Sequence, residues 1–293
     1  MAAQQGRLSA GGRVRRRKRA NRTVEGLWLL ASGLAVAMLG IVTISVLLRG
    51  IPALNLDLFT KTPATFGESG GGIAHAFIGS LVLVGIAAAM AVPVGVLAAI
   101  YVSEFADRRV ARGIKLALDV LNGLPSIVIG IFLFALLVVG RGQNAFLGSM
   151  ALAIIMLPLI ARSTQEVLAL VPTQLREGSL ALGVSKWRTI VGVILPTTFS
   201  GILTGTTLAI ARAAGETAPL LFTSSLFGNS VSWNPGHAIA SIPVIIFEYS
   251  EAPDPHLNDQ AWAAAFVLIT FVLITSLASR AALARSRRKL ERG

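Results

Sequence analysis

The stretch LWLLASGLAVAMLGIVTISVLL, residues 27–48, contains no charged side chain. About 20 apolar residues cross a bilayer as a helix, so this run alone restricts the chain to architectures that place helices in lipid. The basic segment RVRRRKRANR precedes it and Arg49 ends it. Its apolar core is longer than that of a secretory signal, which predicts an uncleaved anchor. Further apolar runs lie at about 74–102, 117–139, 145–170, 193–222 and 261–283. The expectation is an all-α integral membrane protein of six transmembrane helices. Only 14% of the residues are charged, against about 25% in soluble domains.

Lys and Arg fall in the N-terminal tail, around SEFADRRVARGIK, in 172–190 and in the C-terminal tail, whereas the loop 223–260 has neither. Cytoplasmic loops carry the excess of Lys and Arg, so both termini are expected in the cytoplasm. The net charge of +12 therefore reads as topology determinants and contact with anionic lipid, not as a nucleic-acid surface. The chain has no cysteine, which excludes disulfides and thiolate metal sites, and its three histidines are far apart. No GxxxxGK[ST] phosphate loop occurs, so any ATP that drives this chain is hydrolysed elsewhere.

Inside the spans, GIAAAMAVPVGVLAA (85–99) is rich in small residues, which let membrane helices approach closely. Pro93, Pro125 and Pro158 fall within or beside spans, where a kink is tolerable. In the fifth span, ARAAGETAPL sets Arg212 and Glu216 four residues apart, one helical turn on one face. A charge at membrane depth costs about 2.5–3.5 kcal/mol on insertion scales and needs an offset. Two readings stand: a self-compensating ion pair that locks the bundle, or a polar path on which a guanidinium fork meets a small oxyanion. Thr204, Thr206, Thr207 and Thr217 are candidate hydroxyl donors beside them.

Between the fourth and fifth spans lies LVPTQLREGSLALGVSKWRTIVGVILP, 170–196. Pro172 ends one helix, Thr173 is placed to cap a short one carrying Leu175, Leu180 and Leu182, and Gly183 stops it. Ser185 is placed to cap a second helix that re-enters the membrane. Such a helix–turn–helix on the cytoplasmic face is either an amphipathic loop lying on lipid or a docking element for a partner.

EGSLALGVSKWRTIVGVILP resembles the EAA loop of ATP-binding-cassette importer permeases, through Glu177, Gly183 six residues on, and Leu195-Pro196. Gly178 and Ser179 stand where the loop usually has two alanines. GETAPLLFTSS (215–225), GESGGGIAHAFIGS (67–80), GLPSIVIG (123–130) and IASIPVIIFEYS (239–250) are similar to the PstA-type permeases of phosphate-specific transport. The resemblance covers roughly 65–283 and implies a type I importer permease fold, with a permease core at 74–283 containing the coupling loop 172–196; charge and hydropathy add a basic cytoplasmic tail at 1–26, a first transmembrane helix at 27–48 and a second basic tail at 284–293. It implies that Glu177, Gly178, Leu182, Gly183, Leu195 and Pro196 couple to an ATPase, and that Arg212, Glu216 and Thr217 line the phosphate path. The implied partners are a PstC-type permease, a PstB-type ATPase dimer holding ATP and Mg, and a PstS-type extracytoplasmic phosphate-binding protein, all at a bacterial inner membrane. An importer for another oxyanion and an ion-coupled carrier are the alternatives.

Overall fold

Proline and glycine decide where the helices of this chain stop and turn. A computed structural model describes residues 12–64, 70–225 and 230–290. In chain order the helices are α1 (Gly12–Gly50), α2 (Leu56–Thr60), α3 (Ala74–Ile100), α4 (Arg108–Gly123), α5 (Ser126–Leu133), α6 (Ala145–Ala169), α7 (Thr173–Ala181), α8 (Lys186–Thr189), α9 (Leu195–Ala214), α10 (Ala218–Thr223), α11 (Ile242–Ser250) and α12 (Pro255–Leu290). Wide π-turns extend α3 through Tyr101–Phe105, extend α5 through Phe134–Val138, and join α8 to α9 through Ile190–Ile194. Among the described residues there is no β-strand, and five helices are long and apolar enough to cross a membrane.

The expected third span, 117–139, is not one helix. Arg108–Gly123 and Ser126–Val138 meet at 96°. Pro125 disfavours helical backbone in the residue before it, and Leu124 is extended at φ −71°, ψ 134°. Pro93 and Pro158, by contrast, sit inside α3 and α6 without breaking them. The expected fifth span also divides, because α9 ends at Ala214 and α10 opens with Pro219 in its first turn. The loop 223–260 holds a helix that hydropathy alone did not signal, α11, which starts where Pro243 is harmless, at a helix N-terminus.

Residues to Leu48 form one unit and Arg49 onward a second. In the first, the Thr23 and Thr43 hydroxyls donate to carbonyls of their own helix, so neither of these donors is left free. In the second, α3, α6 and α9 share the main core. Ala87, Ala91, Gly95 and Ala99 of α3 recur at the helical period and are all buried. A β-carbon on Gly95 would lie 2.9 Å from Ile160 Cγ2 of α6. On α9, Gly201 and Gly205 form a GxxxG pair whose missing side chains admit Val167 and Ser163 of α6. Small residues are how membrane helices gain van der Waals contact when no hydrophobic effect drives them together.

A second core joins α11, the start of α3 and α12. Burial raises the Glu248 carboxyl above the usual carboxylate range. Burial, with the Glu248 charge added, pushes the Tyr249 phenol up to about 12. The burial behind both shifts comes from the docking of α11 on α3 and α12, with Ile242, Ile245 and Tyr249 in the shared core.

Candidate functional site

Arg212 lies in the last turn of α9, where the helix dipole favours a cation. The helix then ends, with Gly215 at φ −97°, ψ 0°. Glu216 therefore stands in the break between α9 and α10, not on the same helical face, which corrects the sequence expectation. The two still meet, Arg212 Nε to Glu216 Oε1 at 3.6 Å. That is an ion pair beyond hydrogen-bond reach.

The two partners differ in exposure. The Arg212 side chain is 56% exposed and that of Glu216 is 16% exposed. A structural lock would enclose both charges; here the carboxylate is held and the guanidinium stands open. The break that carries Glu216 is held on both sides, by its N–H to the Ala213 carbonyl of α9 at 3.2 Å and by the anchoring of α10. A β-carbon on Gly130 of α5 would lie 2.6 Å from Pro219 Cα, Gln143 Nε2 donates to the Leu221 carbonyl at 2.9 Å, and Phe134 packs edge-on to Phe222.

Residues 197, 200, 204 and 208 of α9 repeat at the helical period toward Arg212. With Ser163 and Glu166 of α6 they line an open groove of about 550 Å³. Hydropathy gave no sign of this groove; the signal available was the run of Ser, Thr and Gly at helical spacing through 197–205. Two expected hydroxyl donors are spent, since Thr204 and Thr207 donate to the Ser200 and Leu203 carbonyls. Thr206 is buried. The Thr217 hydroxyl makes no cap bond to α10.

At the other end of α9, α7 and α8 form the expected helix–turn–helix. Gly183 turns it at φ +77°, and Val184 N donates back to the Ser179 carbonyl. The expected caps differ: Pro172 occupies the cap position of α7, and the Ser185 side chain makes no cap bond. The Ser179 and Thr189 hydroxyls, 2.8 Å apart, tie the two helices instead. Glu177, Gly178 and Gly183 are exposed, and Leu182 is 85% exposed. Leu195 and Pro196 do not join that tip. Leu195 packs on the core formed by Ile100, Leu168, Val171, Ile190 and Ile194. Pro196 follows the wide turn at Ile190–Ile194, which relieves the clash its ring would make in a regular helix.

Residues 91–290 match the family model of binding-protein-dependent transport system inner membrane components. The chain is 38% identical over 266 residues to the phosphate transport system permease protein PstA of Haemophilus influenzae, covering 90% of this chain and 94% of that one. It is 41% identical over 244 residues to the PstA protein of Xylella fastidiosa, covering 82% and 84%. Among solved structures it resembles a chain of the MetNI methionine ABC transporter, with a TM-score of 0.58 and 18% identity over 73% of this chain and 94% of that one. It also resembles a chain of a bacterial alginate ABC transporter, with a TM-score of 0.59 and 12% identity over 88% and 94%.

Proposed function

Because the chain belongs to the inner membrane components of binding-protein-dependent transport systems, and within them to the PstA-type permeases, we propose that Arg212 and Glu216 handle phosphate in transit. The protein is a multi-pass permease subunit of a phosphate ABC importer and not itself an enzyme. The observation that carries the proposal is the open guanidinium of Arg212 beside the held carboxylate of Glu216. A guanidinium fork matches two oxygens of a phosphate. A lone arginine would hold the anion too tightly for passage. The carboxylate weakens that hold and keeps the empty site neutral. The groove along α9 and α6, with Ser163, Glu166, Thr197, Ser200 and Thr204 among its lining, begins one helical turn from Arg212 and runs toward the α7–α8 end, and the Thr217 hydroxyl, which makes no cap bond, assists at the anion.

The exposed tip of α7 and α8, with Leu182, Glu177, Gly178 and Gly183, supports a docking surface for a PstB-type ATPase dimer that binds ATP and Mg. A PstC-type permease completes the pore and a PstS-type protein delivers phosphate, in a bacterial inner membrane. Leu195 and Pro196 serve coupling by fixing where α9 enters the bundle. The test is labelled-phosphate uptake by cells lacking this chain and complemented with it. Uptake returns, and excess unlabelled phosphate but not sulfate competes. Purified chain in vesicles without its partners shows no ATP-dependent uptake. Competition by sulfate at equal concentration would reassign the substrate to another oxyanion.

Gly183→Val tests the docking surface. A β-carbon there meets nothing within 4 Å, so the cost is conformational. A β-branched residue at positive φ is strained by about 1–3 kcal/mol. The chain reaches the membrane at its normal level, and ATPase recovered with it falls about tenfold. Unchanged recovery with unchanged uptake removes the turn from the docking surface.

A further inference from the structure

Arg176 is one residue from the loop's signature Glu177. In the structure it turns inward. Its Nε and Nη2 donate to Oε1 of Glu104 at 3.1 and 3.0 Å. Its Nη1 donates to the Val171 carbonyl at 2.7 Å and its Nη2 also to the Leu168 carbonyl at 2.8 Å. One guanidinium on α7 thus grips two elements. Leu168 and Val171 are at the C-terminal end of α6, where carbonyls lack helical partners. Glu104 lies in the π-turn that ends α3 and is only 7% exposed.

A carboxylate at a helix C-terminus is disfavoured by the dipole, and a buried one stays charged only if it is paired. Arg176 supplies that pairing from 72 residues away. An apolar pair of similar volume would stabilise the junction as well or better. What the ion pair adds is direction, since a fork fixes the orientation of α7 against two helix ends at once. Lys186 of α8 stacks 5.1 Å from the ring centroid of Phe105, and so ties the second loop helix to the same turn.

We propose that the Arg176–Glu104 clamp transmits motion of the α7–α8 loop into α3 and α6, so that a push from the ATPase moves the bundle instead of bending the loop. Arg176 and Glu104 are positioning residues; neither touches nucleotide or phosphate. The proposal rests on the reading of α7 as the ATPase docking helix.

The experiment uses the full complex in phosphate-loaded vesicle assays, with ATP hydrolysis and phosphate transport measured on the same vesicles for Glu104→Gln, Glu104→Leu and Arg176→Lys. ATPase recovery and ATP hydrolysis stay within about twofold of wild type. Phosphate moved per ATP falls about tenfold in Glu104→Leu and Arg176→Lys, and less in Glu104→Gln, whose amide oxygen still accepts one bond. A wild-type ratio in all three overturns the clamp. So does a parallel fall of hydrolysis and transport, the pattern of lost structure. If Glu104→Leu does not assemble, Glu104→Gln decides by the same ratio. Leu182→Asp separates the underlying reading: it abolishes ATPase recovery if α7 docks the ATPase, and full recovery removes that reading whatever the clamp variants do.

Discussion

Arg212→Gln abolishes phosphate uptake, by a hundredfold or more per assembled complex, while leaving assembly intact. The guanidinium is the open member of its pair, 56% exposed, so little packing is lost with it, and the 16% exposed carboxylate it leaves is met by the glutamine amide and by water. Hydrogen bonds to charged groups contribute about 1.5–3 kcal/mol each. Losing two to a bound phosphate therefore removes about 3 kcal/mol or more, which exceeds a hundredfold at about 1.4 kcal/mol per decade. Glu216→Gln acts differently: it leaves the arginine unopposed, so phosphate is held more tightly and turnover falls. The double variant Arg212→Gln with Glu216→Gln stays inactive. A structural lock predicts the reverse order, with each single change destabilising and the double rescued, because breaking a buried pair costs more than replacing it. Uptake per complex for the three variants decides, and near-normal uptake in the double variant would falsify the substrate-handling role.

Gly79→Val removes most of the folded protein from the membrane, whereas Gly85→Val, six residues along the same helix, does not. A β-carbon at Gly79 would overlap the Ala240 carbonyl oxygen and the Ile239 side chain, and the first of these is backbone that cannot rotate away. Overpacking a filled core costs about 1–3 kcal/mol and more where backbone must move. Gly79 is the point at which α3 lies against the segment leading into α11. At Gly85 an added β-carbon meets nothing within 4 Å. Steady-state level and thermal stability of the two variants in detergent give the comparison. Equal stability would mean that α3 and the 239–241 segment separate without cost.

Where the long helices run was legible because length and absence of charge are local properties of sequence. Their interruptions were less so. Pro93, Pro125 and Pro158 look alike in one dimension, yet only Pro125 breaks its helix. Gly123 just before it weakens the same turn, whereas Pro158 is buried among its neighbours within α6. The end of α9 was signalled by Gly215 and Pro219 but masked by the apolar residues around them. The Arg212–Glu216 pair was legible from spacing, although it forms across a helix end and not along a face. The inward turn of Arg176 was not legible, since its partner lies on another helix and periodicity records only which face a residue occupies. Thr204 and Thr207 were misjudged as free donors because a threonine in a helix satisfies itself on its own backbone.

Lys186 to Ala214 is a single helix of 29 residues. It begins at the exposed loop and ends two residues past Arg212. At 1.5 Å per residue the distance from Lys186 to Arg212 is about 39 Å. With its middle bound to α6 through the Gly201–Gly205 seam, and α7 bound to α6 and α3 through Arg176, the assembly is a stiff lever pivoted at that seam. Arg212 lies about 14 Å beyond the centre of the seam, so a tilt of about 10° sweeps the guanidinium sideways by roughly 2 Å. Such a displacement is more than half of the 3.6 Å that separates Arg212 Nε from Glu216 Oε1. Glu216 hangs from the end of the arm through its N–H to the Ala213 carbonyl at 3.2 Å, while α10 beyond it is anchored against Gly130 of α5, so the tilt flexes the break between them, and a stroke at the loop is felt at the anion as a change in how firmly it is held.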